Sequence, residues 1–171
     1  VHETMGARPI LKFIKTVKSD SALNAIYGTK ADEYLDFIED QLLPKWDAYY
    51  TDLGGGNGVY LVPTGNRSGG SFSGRTLPHN QYLVAAECYL LLGDIQSNST
   101  YTARASSLLN FFKSKLSTNS AASTAYEWPY WSWAGSWDNG LIYGSYEEDS
   151  SHGNLDVSAA IMGYRYGVVF S

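Results

Sequence analysis

Chemistry in this sequence can gather around His152. Glu147, Glu148, Asp149, Ser150 and Ser151 stand directly before it, and an apolar run from Val157 to Met162 follows Asp156. A short side-chain oxygen from Asp149, Ser150 or Ser151 can accept the first free amide protons of a helix that begins there. His152 then rides at the mouth of that helix. An imidazole in such a place can exchange a proton near neutral pH. Just upstream runs the most aromatic part of the chain, Tyr126-Glu127-Trp128-Pro129-Tyr130-Trp131-Ser132-Trp133, followed by Trp137, Tyr143 and Tyr146. Titratable groups at a helix mouth beside an aromatic wall point to a carbohydrate-processing cleft.

The elements that must position these residues are helical. Residues 4–17 read as a helix with Ile10, Phe13, Ile14 and Val17 at helical spacing, and Pro9 places its proper start near Arg8. Residues 20–28 read as a connection or a single turn. Residues 30–50 carry a wide apolar stripe, Tyr34, Leu35, Phe37, Ile38, Leu42 and Trp46, with acidic residues on the N-terminal half. Pro44 is expected to kink or divide that helix. Gly54-Gly55-Gly56-Asn57-Gly58 and residues 64–74 read as loops around a short extended segment, Val59 to Pro63. A phosphate cradle is excluded at these glycines, because no Gly-Lys-Ser/Thr end accompanies them. Pro78-His79-Asn80-Gln81 opens a helix over 81–92 with Gly93 as its expected terminator. Another helix covers 101–116, with Leu108, Leu109, Phe111 and Phe112 on its apolar side. The last covers about 154–166.

The composition sets bounds. The 171 residues, 44% hydrophobic and 17% charged, fit one globular domain. A net charge of −5 argues against a nucleic-acid platform. No apolar run reaches bilayer length. Val1-His2-Glu3-Thr4 is not a signal peptide, and the chain is expected to be processed or truncated. The one cysteine, Cys88, falls within an apolar helical run and reads as a buried thiol. Sequons at Asn66 and Asn98 tilt the reading towards a secreted, extracellular glycoprotein. No compact His/Asp/Glu spacing calls for a metal.

The histidines, His2, His79 and His152, recur at intervals of about 75 residues, each just before a helical segment. Aligning His79 with His152 superposes Val84 on Val157 and Ala86 on Ala159, and brings Gly93 and Gly167 within one position. Helices alternating in this way read as α-hairpins side by side, with the histidine-bearing mouths on a common rim.

Leu77-Pro78-His79-Asn80-Gln81, Trp128-Pro129-Tyr130-Trp131 and Glu148-Asp149-Ser150-Ser151-His152-Gly153-Asn154-Leu155-Asp156 together resemble the (α/α)-toroid polysaccharide lyases of the glucuronan and alginate lyase type. The resemblance spans most of the chain in outline and is specific around those motifs. It implies a mostly α fold, an (α/α) toroid built of helical hairpins, of which residues 1–171 form a single domain and an incomplete arc. It implies β-elimination on a uronic-acid polymer, without a redox cofactor, and a second chain that could complete the ring.

The residues can be assigned on chemical grounds too. Neutral or cationic donors aimed at the uronate carboxylate ease removal of the C5 proton, and Asn80 at a helix mouth suits that task. His152 is the candidate base, and Glu148 could orient it. Tyr143, Tyr146 or Tyr130 could protonate the leaving oxygen. His79 and Gln81 are candidate binding residues. Arg67 and Arg75 could close over the polymer as a lid. Trp128, Trp131 and Trp133 offer flat faces to sugar rings. Each has a structural alternative: capping for His152 and Asn80, a helix-start polar group for His79, a satellite core for the aromatics. Two other functions stay open. A glycoside hydrolase would pair Glu148 or Asp149 with Asp138 or Glu87, and a carbohydrate-binding domain would keep the aromatic wall without needing His152.

Overall fold

Apolar side chains at helical spacing fold this chain into a mostly helical structure, seen in a computed structural model that describes residues 2–63, 73–118, 124–132 and 150–170. Helix α1 (His2–Ser19) buries Ala7, Leu11, Ile14 and Val17 and leaves Ile10 and Phe13 exposed. It does not wait for Pro9 to begin: the proline lies inside it. Asp20 is not a linker but the cap of α2 (Ser21–Phe37), its carboxylate accepting from the amides of Ala22 and Leu23 at 2.8 and 3.0 Å. The chain thus turns back after one residue. Residues 20–50 form neither a loop nor one amphipathic helix.

Pro44 divides the second helix as expected. Ile38–Leu42 widen into a π-turn, and the Leu43 amide reaches back to the Ile38 carbonyl before α3 (Leu43–Asp47) resumes with Pro44 in its first turn. A proline nitrogen has no proton, so the normal ladder cannot pass through it. The helix ends at Asp47, short of Tyr50. Tyr50 instead begins β1 (Tyr50–Gly54), which pairs antiparallel with β2 (Asn57–Tyr60), Tyr50 opposite Tyr60 and Thr51 opposite Val59. Gly54, Gly55 and Gly56 make the reversal with φ of 76°, 61° and 78°, a left-handed run that side chains resist. Tyr60 donates to the Tyr89 hydroxyl at 2.9 Å, and Tyr89 donates to Asp47 at 3.2 Å. This chain of hydroxyls ties the hairpin to α3 and α4; burial pushes the Tyr60 phenol up to about 12.

Helix α4 (His79–Gln96) is the centre of the core, with every residue from Tyr82 to Gly93 buried. It passes through Gly93, and Ser97 terminates it at φ 51°. The glycine is needed for a different reason. A Cβ there would stand 2.5 Å from the Thr102 hydroxyl of α5 (Ser99–Lys113), so its absence lets the two helices approach. Asn98 caps α5 through its side-chain oxygen, 2.9 Å from the Thr100 amide. Leu108, Leu109, Phe111 and Phe112 form the buried side of α5. A two-residue ladder joins β3 (Ser117–Thr118) to β4 (Tyr126–Glu127). Helix α6 (Ser150–Arg165) starts earlier than the apolar run alone indicates, and Gly167 stops it at φ 66°. The Val168 amide then closes back on the Gly163 carbonyl at 2.8 Å.

Packing follows the hairpins. α2 lies on α1, α5 lies on α4, and α4 is flanked by α1 on one side and α6 on the other. No described helix is long and apolar enough to cross a membrane.

Candidate functional site

The row α1, α4, α6 brings its N-terminal turns to one place. Thr4 and Met5 of α1, Asn80 and Gln81 of α4, and His152 and Leu155 of α6 line a single cavity of about 320 Å³, with Tyr130 from the aromatic loop. The same end of each helix faces the cavity, so the three helices run parallel. Of the histidines expected on a common rim, His152 alone is among the described residues that line this cavity.

Pro78 precedes α4 and supplies no side-chain cap; its carbonyl accepts from the Gln81 and Tyr82 amides at 3.1 and 3.4 Å, which closes the first turn of that helix. Its first amide, that of His79, donates to the Tyr130 carbonyl at 3.2 Å and so fixes the loop over the mouth. Asn80 follows, only 7% exposed, and its side-chain oxygen is buried with no hydrogen-bond partner among the described residues. Such an oxygen costs about 1–3 kcal/mol when left alone. On a cavity wall it is a ready acceptor for a ligand's hydroxyl or N–H. His152, half-buried, holds its ring 5.1 Å from the Tyr130 ring at an angle of 57°. A potential base and a phenol thus share one small chamber with a carboxamide.

His79 does not reach that chamber. It is fully buried beneath it, with Nδ1 against the Tyr82 hydroxyl and Nε2 2.7 Å from Ser132 Oγ. The expectation of a sugar contact is corrected: both ring nitrogens are engaged, and the residue latches the aromatic loop to α4. Burial, with a smaller contribution from nearby Lys115, lowers its pKa to about 3. The sign of the resulting linkage is clear. The unfolded chain takes up a proton as pH falls through about 6.5, while folded His79 stays neutral until about 3. Stability contributed above pH 6.5 is therefore lost progressively below it, at up to about 1.4 kcal/mol per pH unit. Urea titrations at pH 7 and pH 5 should show wild type losing about 2 kcal/mol more than His79→Gln over that interval. Equal losses in the two proteins count against a neutral buried imidazole.

Trp128 and Trp131 are not among the residues that line the cavity, and their indole N–H groups are engaged within the fold. The Trp128 indole donates to Asp156 Oδ2 at 2.8 Å and stands edge-on to Phe112, with centroids 5.7 Å apart. The Trp131 indole donates to the Thr76 carbonyl. Asp156, fully buried, thereby anchors the loop that presents Tyr130. Arg75 is held in the extension of the hairpin rather than in a lid: its carbonyl accepts from Val62 at 2.7 Å, next to the Leu61–Thr76 bridge. Arg67, Trp133, Tyr143, Tyr146, Glu148 and the sequon residue Asn66 lie outside the described residues, as do Asp138 and Asp149. Glu87, the hydrolase alternative's partner, is buried elsewhere and ion-paired to Arg8 at 2.6 Å.

Thr4, Met5 and Leu155 are cavity residues that the motif reading missed. The signal was the repeat itself: Thr4 and Gln81 each stand two places after a histidine of the repeat. Among the described residues, no group of His, Cys, Asp and Glu could hold a metal ion. No family model, no curated protein and no solved structure matches this chain.

Proposed function

We propose that the protein is a polysaccharide lyase that cleaves a uronic-acid polymer by β-elimination at the cavity between the three helix mouths. The observation that carries this reading is the convergence of Asn80, Gln81, Tyr130 and His152 on one cavity. The row of parallel helices, with α2 and α5 as their return partners, supports an arc of an (α/α) toroid.

The uronate carboxylate meets the positive end of the α4 dipole and the Asn80 amide nitrogen, which stabilise the negative charge that builds as C5 loses its proton. His152 takes that proton. The C4–O bond then breaks, the C4=C5 double bond forms, and the leaving glycosidic oxygen takes a proton from a tyrosine. Tyr130 is the phenol in place among the described residues, and Tyr143 and Tyr146 share that candidacy. No redox cofactor is needed, because the substrate is neither oxidised nor reduced overall. The substrate class would place the enzyme in the extracellular space.

Ultraviolet absorbance of unsaturated uronates, followed with glucuronan, alginate, pectate and glycosaminoglycans separately, tests the proposal. A rise with one polymer establishes elimination and names the substrate. Saturated products point to a hydrolase, and binding without turnover points to a carbohydrate-binding domain. With the substrate known, Asn80→Ala is expected to lower kcat by about 10²–10³. A loss confined to KM would remove Asn80 from transition-state stabilisation.

A further inference from the structure

A second concavity, about 800 Å³, runs along the same three helices away from their mouths, with α4 as floor and α1 and α6 as walls. Asn80 of the cavity and Glu87 and Leu91 of this groove succeed one another along α4. Eleven residues separate Asn80 from Leu91, about 16 Å of helix at 1.5 Å per residue. The two hollows are therefore successive stations along one helix.

The charge of the groove departs from that of the chain. Glu87 on its floor is met by Arg8 at 2.6 Å and by the Ser158 hydroxyl at 2.6 Å. That carboxylate is offset and does not repel an anion. Lys15 is engaged by Asp94 at 2.6 Å and by the Tyr166 hydroxyl at 2.9 Å. Lys12 and Arg165, on opposite walls, have no carboxylate within ion-pair distance among the described residues. A protein of net charge −5 thus presents an uncompensated positive pair in this groove. Between the cations, Val157 and Ile161 offer apolar surface, being 43% and 48% exposed. A ligand that suits this lining has carboxylates at its edges and C–H faces between them.

We propose that the groove is a run of further subsites for the acidic polymer, with Lys12 and Arg165 binding the carboxylates of sugars beyond the one that reacts. The substrate class rests on the function proposed above, while the binding claim stands apart from catalysis.

Calorimetry with glucuronate disaccharide and hexasaccharide tests it on the full chain, using His152→Ala to keep the ligand intact. The hexasaccharide is expected to bind more tightly than the disaccharide, with a steeper loss of affinity as salt rises. Lys12→Gln/Arg165→Gln should weaken hexasaccharide binding about tenfold, a figure kept modest by the exposure of both side chains. Both substitutions lie on exposed positions, and an unchanged thermal midpoint guards against misfolding. Equal affinity for the two lengths, or a double variant that binds the hexasaccharide as before, overturns the subsites. So does self-association of the wild type that the double variant abolishes, because the groove would then be a protein interface. Hexasaccharide binding that needs Lys12 and Arg165, in a protein whose wild type makes no unsaturated product, retains the groove and sinks the lyase reading alone.

Discussion

His152→Ala should abolish most elimination, lowering kcat about 10²–10⁴-fold, while the thermal midpoint stays close to that of the wild type. The first half follows from position: the imidazole shares the cavity with Asn80, Gln81 and Tyr130 and is the one His side chain among its lining residues. The second half follows from exposure. His152 is half-buried in the first turn of α6, and its removal uncovers no core residue of that helix, whose buried positions are Gly153, Asp156, Ala159 and Gly163. Initial rates at saturating polymer, read by ultraviolet absorbance, decide the matter. Activity within a few-fold of wild type would assign the proton to another group and remove the main reason for placing the reaction here. A large fall in thermal midpoint would mark His152 as structural instead.

The largest effect on stability is expected from Arg8→Ala, about 3–5 kcal/mol. Glu87 is 1% exposed, and of Arg8 and Ser158, which both donate to it, only the Arg8 guanidinium carries charge. Truncating Arg8 leaves that carboxylate enclosed beside a hydroxyl, with its dehydration no longer offset. In a protein of this length the loss lowers the thermal midpoint by about 10 °C or more. The double variant Arg8→Ala/Glu87→Leu should recover much of it, because an apolar side chain in the same volume carries no dehydration cost. Chemical denaturation of the four proteins of this cycle checks the prediction. A double variant no more stable than Arg8→Ala would mean that packing around Arg8, not charge, holds α1 to α4.

The helices were legible where apolar spacing was strong and confined to one side. Leu108, Leu109, Phe111 and Phe112 announced the buried side of α5. Helix ends were less legible, because each rests on one residue with more than one use. Gly93 reads as a terminator but serves close packing against Thr102. Pro9 reads as a beginning but is tolerated within α1. The hairpin from Tyr50 to Tyr60 was hidden because Trp46 and Tyr50 continue the helical stripe and the glycines resemble a plain loop. At the candidate site, Asn80, Gln81 and His152 could be found from residue type beside a helix start, and Tyr130 from the density of aromatics in its loop. The burial of His79 could not. It depends on Ser132 and Tyr82 arriving from separate parts of the fold, which the local pattern does not encode.

The proline inside α1 has a consequence at the other end of one helical turn. Pro9 has no N–H, so the Met5 carbonyl four residues earlier lacks its ordinary donor. Met5 lines the cavity. A main-chain acceptor without its ordinary helical partner thus belongs to a residue of the cavity lining, and no exchange of the Met5 side chain deletes it. The polarity of the lip is thus set in part by a residue that does not line it.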